Sequence, residues 1–143
     1  MARGSLIIRP AELADIAPVL ELWSHARSAH ATTPDHESDL RRLIVGGPGT
    51  TLLVAFNERG LVGTLIAAWD GWRGNMYRLA VSPKHRREGV ARQLVERGEQ
   101  RLRDLGARRV TALVAHGDLT AAAFWDAAGY PADPEIGRHV RNI

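Results

Sequence analysis

The segment SPKHRREGVARQLVERGEQRL, residues 82–102, joins a basic turn to an amphipathic helix. After Gly89, apolar residues recur at steps of three and four, which predicts a helix with one buried face. The residues on that face are Val90, Ala91, Leu94, Val95, Gly98, Leu102 and Leu105. Cations are unfavourable at a helix N-terminus, because the helix dipole is already positive there. The basic residues at 84–87 therefore indicate either a solvated run of charge or an anionic ligand at this end.

The ligand chemistry follows from the backbone as well as from the charges. The first turn of a helix exposes N–H groups that have no partner within the helix, and with the dipole they form an anion site. Gly89 and Ala91 are small enough to let a ligand approach the backbone. Arg86 and Arg87 add positive charge. A diphosphate fits these several donors better than a single carboxylate does.

The composition is that of an ordinary globular protein, with 45% hydrophobic and 24% charged residues in a chain of 143. This length predicts one domain, residues 1–143. Residues 84–109 carry nine Lys or Arg and four acidic residues, whereas the whole chain has a net charge of +3, so the positive charge is local. The absence of cysteine excludes disulfides and thiolate metal sites. Neither a membrane span nor a signal peptide is predicted, and the expected location is the cytoplasm.

The order of predicted elements is β-α-α-β-β-β-α-β-α-β. It predicts an α/β (α+β) fold with a mixed, mainly antiparallel sheet, helices on both faces and one parallel crossover through the long helix. Strands are predicted at 6–10, 51–57, 61–70, 76–81, 108–115 and 136–143, and helices at 11–27, 35–45, 90–105 and 119–128. Asp118 is expected to cap the last helix and Gly129 to end it.

Two common phosphate-binding patterns are absent, since the chain has neither G-x-x-x-x-G-K-[ST] nor G-x-G-x-x-G. RREGVA at 86–91 instead matches R/Q-x-x-G-x-G/A, the pyrophosphate loop of the GCN5-related N-acetyltransferase (GNAT) family. The chain resembles this family over nearly its whole length. The other similar segments are IIRPAELADIAPVLELW (7–23), LVAFNERGLVGTLIAAW (53–69), DGWRGNMYRLAVSPKHRREGVA (70–91) and DLTAAAFWDAAGY (118–130). The third resembles small bacterial members with a D-G-x-R-G turn before the fourth strand.

The resemblance implies transfer of an acetyl group from acetyl-CoA to an amine, with no metal. In the family, acetyl-CoA lies where the fourth and fifth strands separate. Backbone groups of Leu79 and Val81 would bind the pantetheine arm, and an N–H near Leu79 or Ala80 would stabilise the oxyanion. The implied cofactor-binding residues are Leu79, Ala80, Val81, Arg86, Arg87, Glu88, Gly89, Val90, Ala91, Arg92, Asp118 and Trp125.

The acid and base are less clear from the family pattern. Asp70, at the end of the third strand, is the candidate base, but its place in DGWRG is also typical of a turn residue. Family members often place a tyrosine at the position of Trp125 to protonate the leaving thiolate, and an indole N–H is not a usable acid. Tyr130 is expected in the core. The alternative to an acid is that the CoA sulfur leaves as an unprotonated thiolate.

The acceptor is expected between the early helices and the sheet. Candidate lining residues are Trp69, Trp72 and Arg73, with Trp23, His30 and His36 as further candidates. Trp23 also fits a core position, and the two histidines fit a solvated connection. A protein N-terminus, a lysine, a polyamine and an aminoglycoside all remain open as acceptors.

Two other functions compete with catalysis. An inactive member could bind acyl-CoA as a sensor, which tryptophan at position 125 permits. A basic helix is also typical of nucleic-acid-binding modules, but this helix has a full apolar face and no aromatic residues among its charges. We therefore expect no nucleic-acid or membrane partner. Homodimers are common in the family, although nothing in the sequence fixes the oligomeric state.

Overall fold

The computed structural model describes residues 5–26, 34–47 and 49–143. The strands are β1 (Ile7–Pro10), β2 (Thr51–Asn57), β3 (Gly60–Trp69), β4 (Gly74–Val81) and β5 (Val110–Ala112). The helices are α1 (Ile16–Ala26), α2 (Glu37–Val45), α3 (Val90–Leu105) and α4 (Leu119–Ala127), with short 3-10 turns at Leu13–Asp15 and Pro83–His85. The chain divides into two compact units, Met1–Leu113 and Val114–Ile143.

The first unit contains a single five-stranded sheet in the order β1-β2-β3-β4-β5. Neighbouring strands from β1 to β4 are antiparallel, and β4 and β5 are parallel. The parallel pair is joined through α3, because parallel neighbours need a long crossover connection. The mixed, mainly antiparallel sheet with one crossover helix is confirmed.

Alternation along β3 shows that helices cover both faces of the sheet. Side chains at 63, 65 and 67 face α3: a Cβ on Gly63 would lie 2.8 Å from Val90 Cγ1, and one on Gly98 would lie 2.8 Å from Leu65 Cδ2. Thr64, between them, faces α1 and is bonded to Trp23. Because both faces are covered, the first five residues of β2 are all buried, and TLLVA reads as a continuous apolar run rather than an alternating one.

Two predicted strands differ from the structure. No strand forms at 136–143, where the side chains are exposed. The apolar residues there, Ile136, Val140 and Ile143, are spaced by four and three, whereas a strand with one buried face needs alternation. β5 covers only Val110–Ala112 instead of 108–115, because its single neighbour β4 stays paired with it only over three residues. Pro18 lies inside the helix predicted at 11–27, where proline can break a helix, but the structure places it in the first turn of α1, where proline is tolerated.

We predict that Gly98→Val lowers the free energy of unfolding by about 2 kcal/mol, because overpacking of a filled core costs roughly 1–3 kcal/mol. Gly98 is buried between α3 and the sheet, and Leu65 is fully buried and has little room to move. Helix propensity alone would make valine no worse than glycine. Urea unfolding measures the change. The control is Arg97→Val, at an exposed position of the same helix; equal losses in both variants would contradict close packing at Gly98.

Candidate active site

β4 and β5 pair only at one end. The paired residues are Gly74 with Val110, Asn75 with Thr111, and Met76 with Ala112. From Tyr77 onward, β4 keeps its partner β3 but has no β5 partner among the described residues. Past Met76 the outer edge of β4 therefore has no neighbouring strand among the described residues, and the backbone groups that point away from β3 can pair with an extended ligand as an added strand.

A β-bulge lies at the start of this open edge. Ile66 pairs with Tyr77 and Thr64 with Ala80, so that two residues of β4, Arg78 and Leu79, oppose the single residue Leu65. Arg78 has φ +53°, a left-handed conformation that costs a non-glycine residue roughly 1–2 kcal/mol. The surroundings must therefore hold it in place.

The bulge is held by side chains on the α1 face. The Thr64 hydroxyl lies 2.9 Å from the backbone oxygen of Arg78, and the Trp23 indole N–H donates to the same hydroxyl at 2.8 Å. The Arg78 guanidinium lies over the Trp23 ring, 5.2 Å from its centroid, and forms an ion pair with Asp35. Thr64 and Trp23 are buried. Trp23, a candidate acceptor residue, is thus a core side chain that contacts the bulge.

The basic turn leads from β4 into the N-terminus of α3, as the sequence predicts. Gly89 has φ +82°, which suits glycine, and its carbonyl accepts the first helical bond, from Gln93 N–H at 3.1 Å. The amides of Val90, Ala91 and Arg92 precede that bond and have no partner within the helix. No side chain caps this end, whereas Asp118 caps α4 by accepting from Ala121 N–H at 3.1 Å.

The basic side chains of the turn are exposed: Arg86, Arg87 and Arg92 all reach solvent. Arg87 also has a positive φ, +66°. Glu88, one of the implied cofactor-binding residues, is exposed, and its carboxylate lies 3.2 Å from His85 Nδ1. The α3 N-terminus thus presents amides and cations toward solvent with no capping side chain, and it retains the features of the predicted anion site.

His85 is a residue of this turn to which sequence reasoning gave no role. Its ring is mostly buried, and Nδ1 lies 3.4 Å from Asn57 Nδ2 at the end of β2. The turn is also tied to the sheet by Ser82 N–H, which donates to the Val62 carbonyl at 2.8 Å. These contacts fix where the α3 N-terminus lies relative to β4. No local pattern marks them, since the partners are 28 residues apart for Asn57 and His85 and 20 residues apart for Val62 and Ser82.

Asp70 lies in the turn between β3 and β4. Its Oδ1 accepts hydrogen bonds from the backbone N–H groups of Trp72 and Arg73, both at 2.7 Å. The N–H groups of Arg73 and Trp72 hold the pKa of the Asp70 carboxyl below its ordinary value, which weakens it as a base. Trp72 is 71% exposed, with the Arg73 guanidinium 4.3 Å from its ring centroid. The geometry is that of a side-chain-stabilised turn.

The register separates this turn from the bulge. Trp69 pairs with Gly74, and Ala80 lies six residues further along β4. At roughly 3.3 Å per residue the separation is about 20 Å. This distance is too long for direct proton transfer to a group at Ala80. One end of the sheet therefore carries Trp69, Asp70, Trp72 and Arg73. The other end carries Leu79, Ala80 and Val81.

The second unit contains the other two predicted site residues. Asp118 caps α4, and Gly129, with φ +94°, ends the helical region, both as predicted. Tyr130 N–H donates to the Trp125 carbonyl at 2.8 Å and Gly129 N–H to Asp126 at 3.1 Å, which is a Schellman motif. Trp125 is buried, and its ring packs edge-on against Tyr130 at 5.1 Å and against Phe124 at 5.3 Å.

Comparison with known proteins identifies the family. Residues 16–130 match the model of the Acetyltransferase (GNAT) family. The chain belongs to this family. It is 28% identical over 129 residues to an acetyltransferase of Yersinia enterocolitica, with 90% of each chain covered. It is 32% identical over 100 residues to an acetyltransferase of Photorhabdus laumondii, covering 70% of this chain and 68% of the relative.

Structural similarity supports the same fold. The structure of AAC(6')-Iy in complex with the bisubstrate analog CoA-S-monomethyl-acetylneamine matches with a TM-score of 0.80 at 16% identity, covering 98% of this chain and 100% of the other. GNAT proteins are acyltransferases, so the enzyme class is that of acyl transfer. The narrower resemblance, to members with a D-G-x-R-G turn, stays a prediction.

Other candidate residues have structural positions or lie outside the described residues. His36 precedes α2 at its N-cap and makes no capping hydrogen bond through its side chain. His30 lies outside the described residues. Within residues 5–26, 34–47 and 49–143, no three His, Asp or Glu side chains cluster closely enough to hold a metal ion. None of the helices described there has the length and hydropathy required to cross a bilayer.

We predict that Asp70→Asn leaves turnover and its pH dependence unchanged, because the amide oxygen still accepts from Trp72 and Arg73. Asp70→Ala, which removes both bonds, should lower the melting temperature without changing the pH profile. Steady-state rates from pH 6 to 10 test both variants. A loss of turnover in Asp70→Asn, with the melting temperature retained, would show instead that Asp70 is the base.

Proposed function

We propose that the protein is an N-acetyltransferase that moves an acetyl group from acetyl-CoA to a primary amine by direct attack in a ternary complex. One observation carries the proposal: the open edge of β4 leads, through a basic turn, to the uncapped N-terminus of α3. An extended strand-like ligand with a diphosphate at one end matches both parts of that surface.

The diphosphate would bind at the turn. Amides of the segment 87–92 would donate to its oxygens, with Arg86 and Arg87 supplying charge, and Gly89 leaves room because it has no side chain. A Cβ on Gly89 would meet only Gln93 Nε2, at 4.0 Å, so the space beside the loop is available to a ligand. Glu88, Val90, Ala91 and Arg92 complete the loop.

The pantetheine arm would pair with the open edge. Backbone groups of Leu79 and Val81 would take the place that a further β5 residue would otherwise have. This places the thioester near the bulge, since the arm runs from the turn at Ser82 back along β4. Backbone contacts of this kind depend on strand geometry and not on side-chain identity.

The reaction joins the amine nitrogen to the acetyl carbon and breaks the carbon–sulfur bond. A backbone N–H of Leu79 or Ala80 would stabilise the negative charge that develops on the acetyl oxygen. The amine must lose a proton before attack, because an alkylamine such as lysine has a pKa of about 10.4. Because Asp70 stabilises a turn, we propose that water at the exposed face accepts this proton.

The leaving group departs as the CoA thiolate, because thiols titrate near 8.5 and Trp125 offers no proton. The proposal that Asp118 and Trp125 contribute to acetyl-CoA binding rests on the resemblance alone. The acceptor we propose is a primary amine of a small molecule or a protein. Cytoplasmic location, a single functional domain, a homodimer and the lack of nucleic-acid or membrane partners remain predictions from the sequence.

We predict that Gly89→Glu abolishes acetyl-CoA binding. The side chain would place bulk and negative charge at the diphosphate position, and the left-handed backbone disfavours it as well. Calorimetry with acetyl-CoA measures the affinity. Gly137→Glu makes the same charge change at an exposed glycine of the second unit and should bind normally. Unchanged affinity in Gly89→Glu would contradict the loop assignment.

Acetyl-CoA consumption with a panel of amines separates an enzyme from an acyl-CoA sensor. The panel should contain a polyamine, an aminoglycoside, a lysine peptide and a peptide with a free N-terminus. We expect turnover with at least one amine that exceeds hydrolysis without an acceptor. Tight acetyl-CoA binding with no turnover on any of them would favour the sensor.

We predict that Trp125→Ala destabilises the protein by about 3 kcal/mol, because the variant removes a buried aromatic side chain that packs on Phe124 and Tyr130. It should not remove an ionisation from the pH–rate profile, since an indole is not an acid. Trp125→Phe should recover most of the stability. Loss of one limb of the profile in Trp125→Ala would mean that Trp125 takes part in proton transfer.

A further inference from the structure

We propose that Thr64 is a positioning residue for the oxyanion donor, and that this donor is the backbone N–H of Leu79. The inference rests on the proposed acetyl transfer and deepens it. Thr64 lies on β3 and cannot be reached from the open edge of β4, because it is fully buried beneath α1. Its effect would pass through the peptide bond between Arg78 and Leu79.

The direction of the hydrogen bonds at Thr64 follows from chemistry. An indole N–H only donates, so Trp23 Nε1 donates to Thr64 Oγ1 at 2.8 Å. A hydroxyl has a single proton, and the neighbouring Arg78 carbonyl, at 2.9 Å, only accepts. The Thr64 proton must therefore point to the Arg78 oxygen. Trp23 fixes the hydroxyl, and the hydroxyl fixes the carbonyl.

The orientation of the carbonyl sets the orientation of the adjacent amide. The C=O and N–H of a trans peptide point in opposite directions, and the described chain has no cis peptide bond. The Arg78 carbonyl is turned toward Thr64 on the α1 side of the sheet. The Leu79 N–H of the same peptide is therefore directed away from Thr64 and from the α1 layer.

The bulge makes this orientation possible. In a regular strand the Arg78 carbonyl would lie in the plane of the sheet, where a backbone N–H of a neighbouring strand could donate to it. The positive φ of Arg78, +53°, rotates the peptide out of the ladder. Arg78 itself is held on the α1 side through the Trp23 ring and Asp35. The left-handed conformation of Arg78 and the hydrogen bond from the Thr64 hydroxyl thus orient the same peptide group.

The test compares Thr64→Val, which has nearly the same shape and no hydroxyl, with Thr64→Ser, which keeps it. In Thr64→Val we expect kcat to fall by about 10²-fold, at the low end of the loss of one oxyanion donor, with the Kd for acetyl-CoA unchanged. Thr64→Ser should restore kcat. Thr51→Val, at another buried threonine of the sheet, is the control and should keep kcat. Thr64→Ala replaces Thr64→Val if the latter does not fold.

Equal kcat in Thr64→Val and Thr64→Ser would overturn the inference. A parallel loss of acetyl-CoA affinity and kcat would also overturn it, since that pattern marks a structural role. Absence of turnover with every amine in the wild-type protein would defeat the proposed function itself. In that case a measurement that needs no turnover still tests whether Thr64 positions the Leu79 amide.

That measurement is the amide NMR shift of Leu79 on addition of acetyl-CoA or of CoA alone. A donor to the acetyl oxygen should move downfield with acetyl-CoA and not with CoA, in the wild-type protein and in Thr64→Ser. The shift should be absent in Thr64→Val. A response of the Ala80 amide in place of Leu79, or the same Leu79 shift in all three proteins, would overturn the inference.

Discussion

The structure depends on β4 having two neighbours at its beginning and one at its end. Over Gly74–Met76 it lies between β3 and β5, and from Tyr77 onward the part of the chain that the structure describes supplies β3 alone as its strand partner. A strand edge without a neighbouring strand is normally a liability, because its backbone groups pair readily with another chain. Here the same edge continues along the chain into a basic turn and a helix without a side-chain cap, and the proposed acetyl-CoA site rests on this arrangement.

The open edge of β4 is supported by packing on both faces of the sheet. On one face, Gly63 of β3 and Gly98 of α3 each lack a side chain and so allow α3 to pack closely against β3, which sets the height of the α3 N-terminus above the sheet. On the other face, Trp23 and Thr64 hold the bulge. Both supports involve β3, which is paired along its length on both sides. The central strand β3 therefore sets the alignment, and its neighbour β4 has the edge that β5 leaves without a strand partner.

The sequence could predict features whose cause is local. The helix from Val90, its glycine-led start, the Asp118 cap and the Gly129 end follow from spacing and from residues with special backbone preferences, and the structure confirms them. The resemblance carried by RREGVA likewise led to the correct family. The predicted final strand at 136–143 is wrong, because its apolar residues are spaced by four and three and do not alternate. The role of Asp70 was ambiguous, and geometry favours the turn.

The sequence by itself determined the family and the order of the elements as far as α4, and it predicts where an anion would bind, since each depends on residues within a few positions of one another. Only the tertiary structure decided where the strands separate and which peptide is turned out of the ladder. Arg78 looks like any strand arginine in sequence, and its left-handed conformation arises from partners at 23, 35 and 64. Contacts between residues so far apart have no periodic signature, because they exist only once the sheet and α1 have packed together.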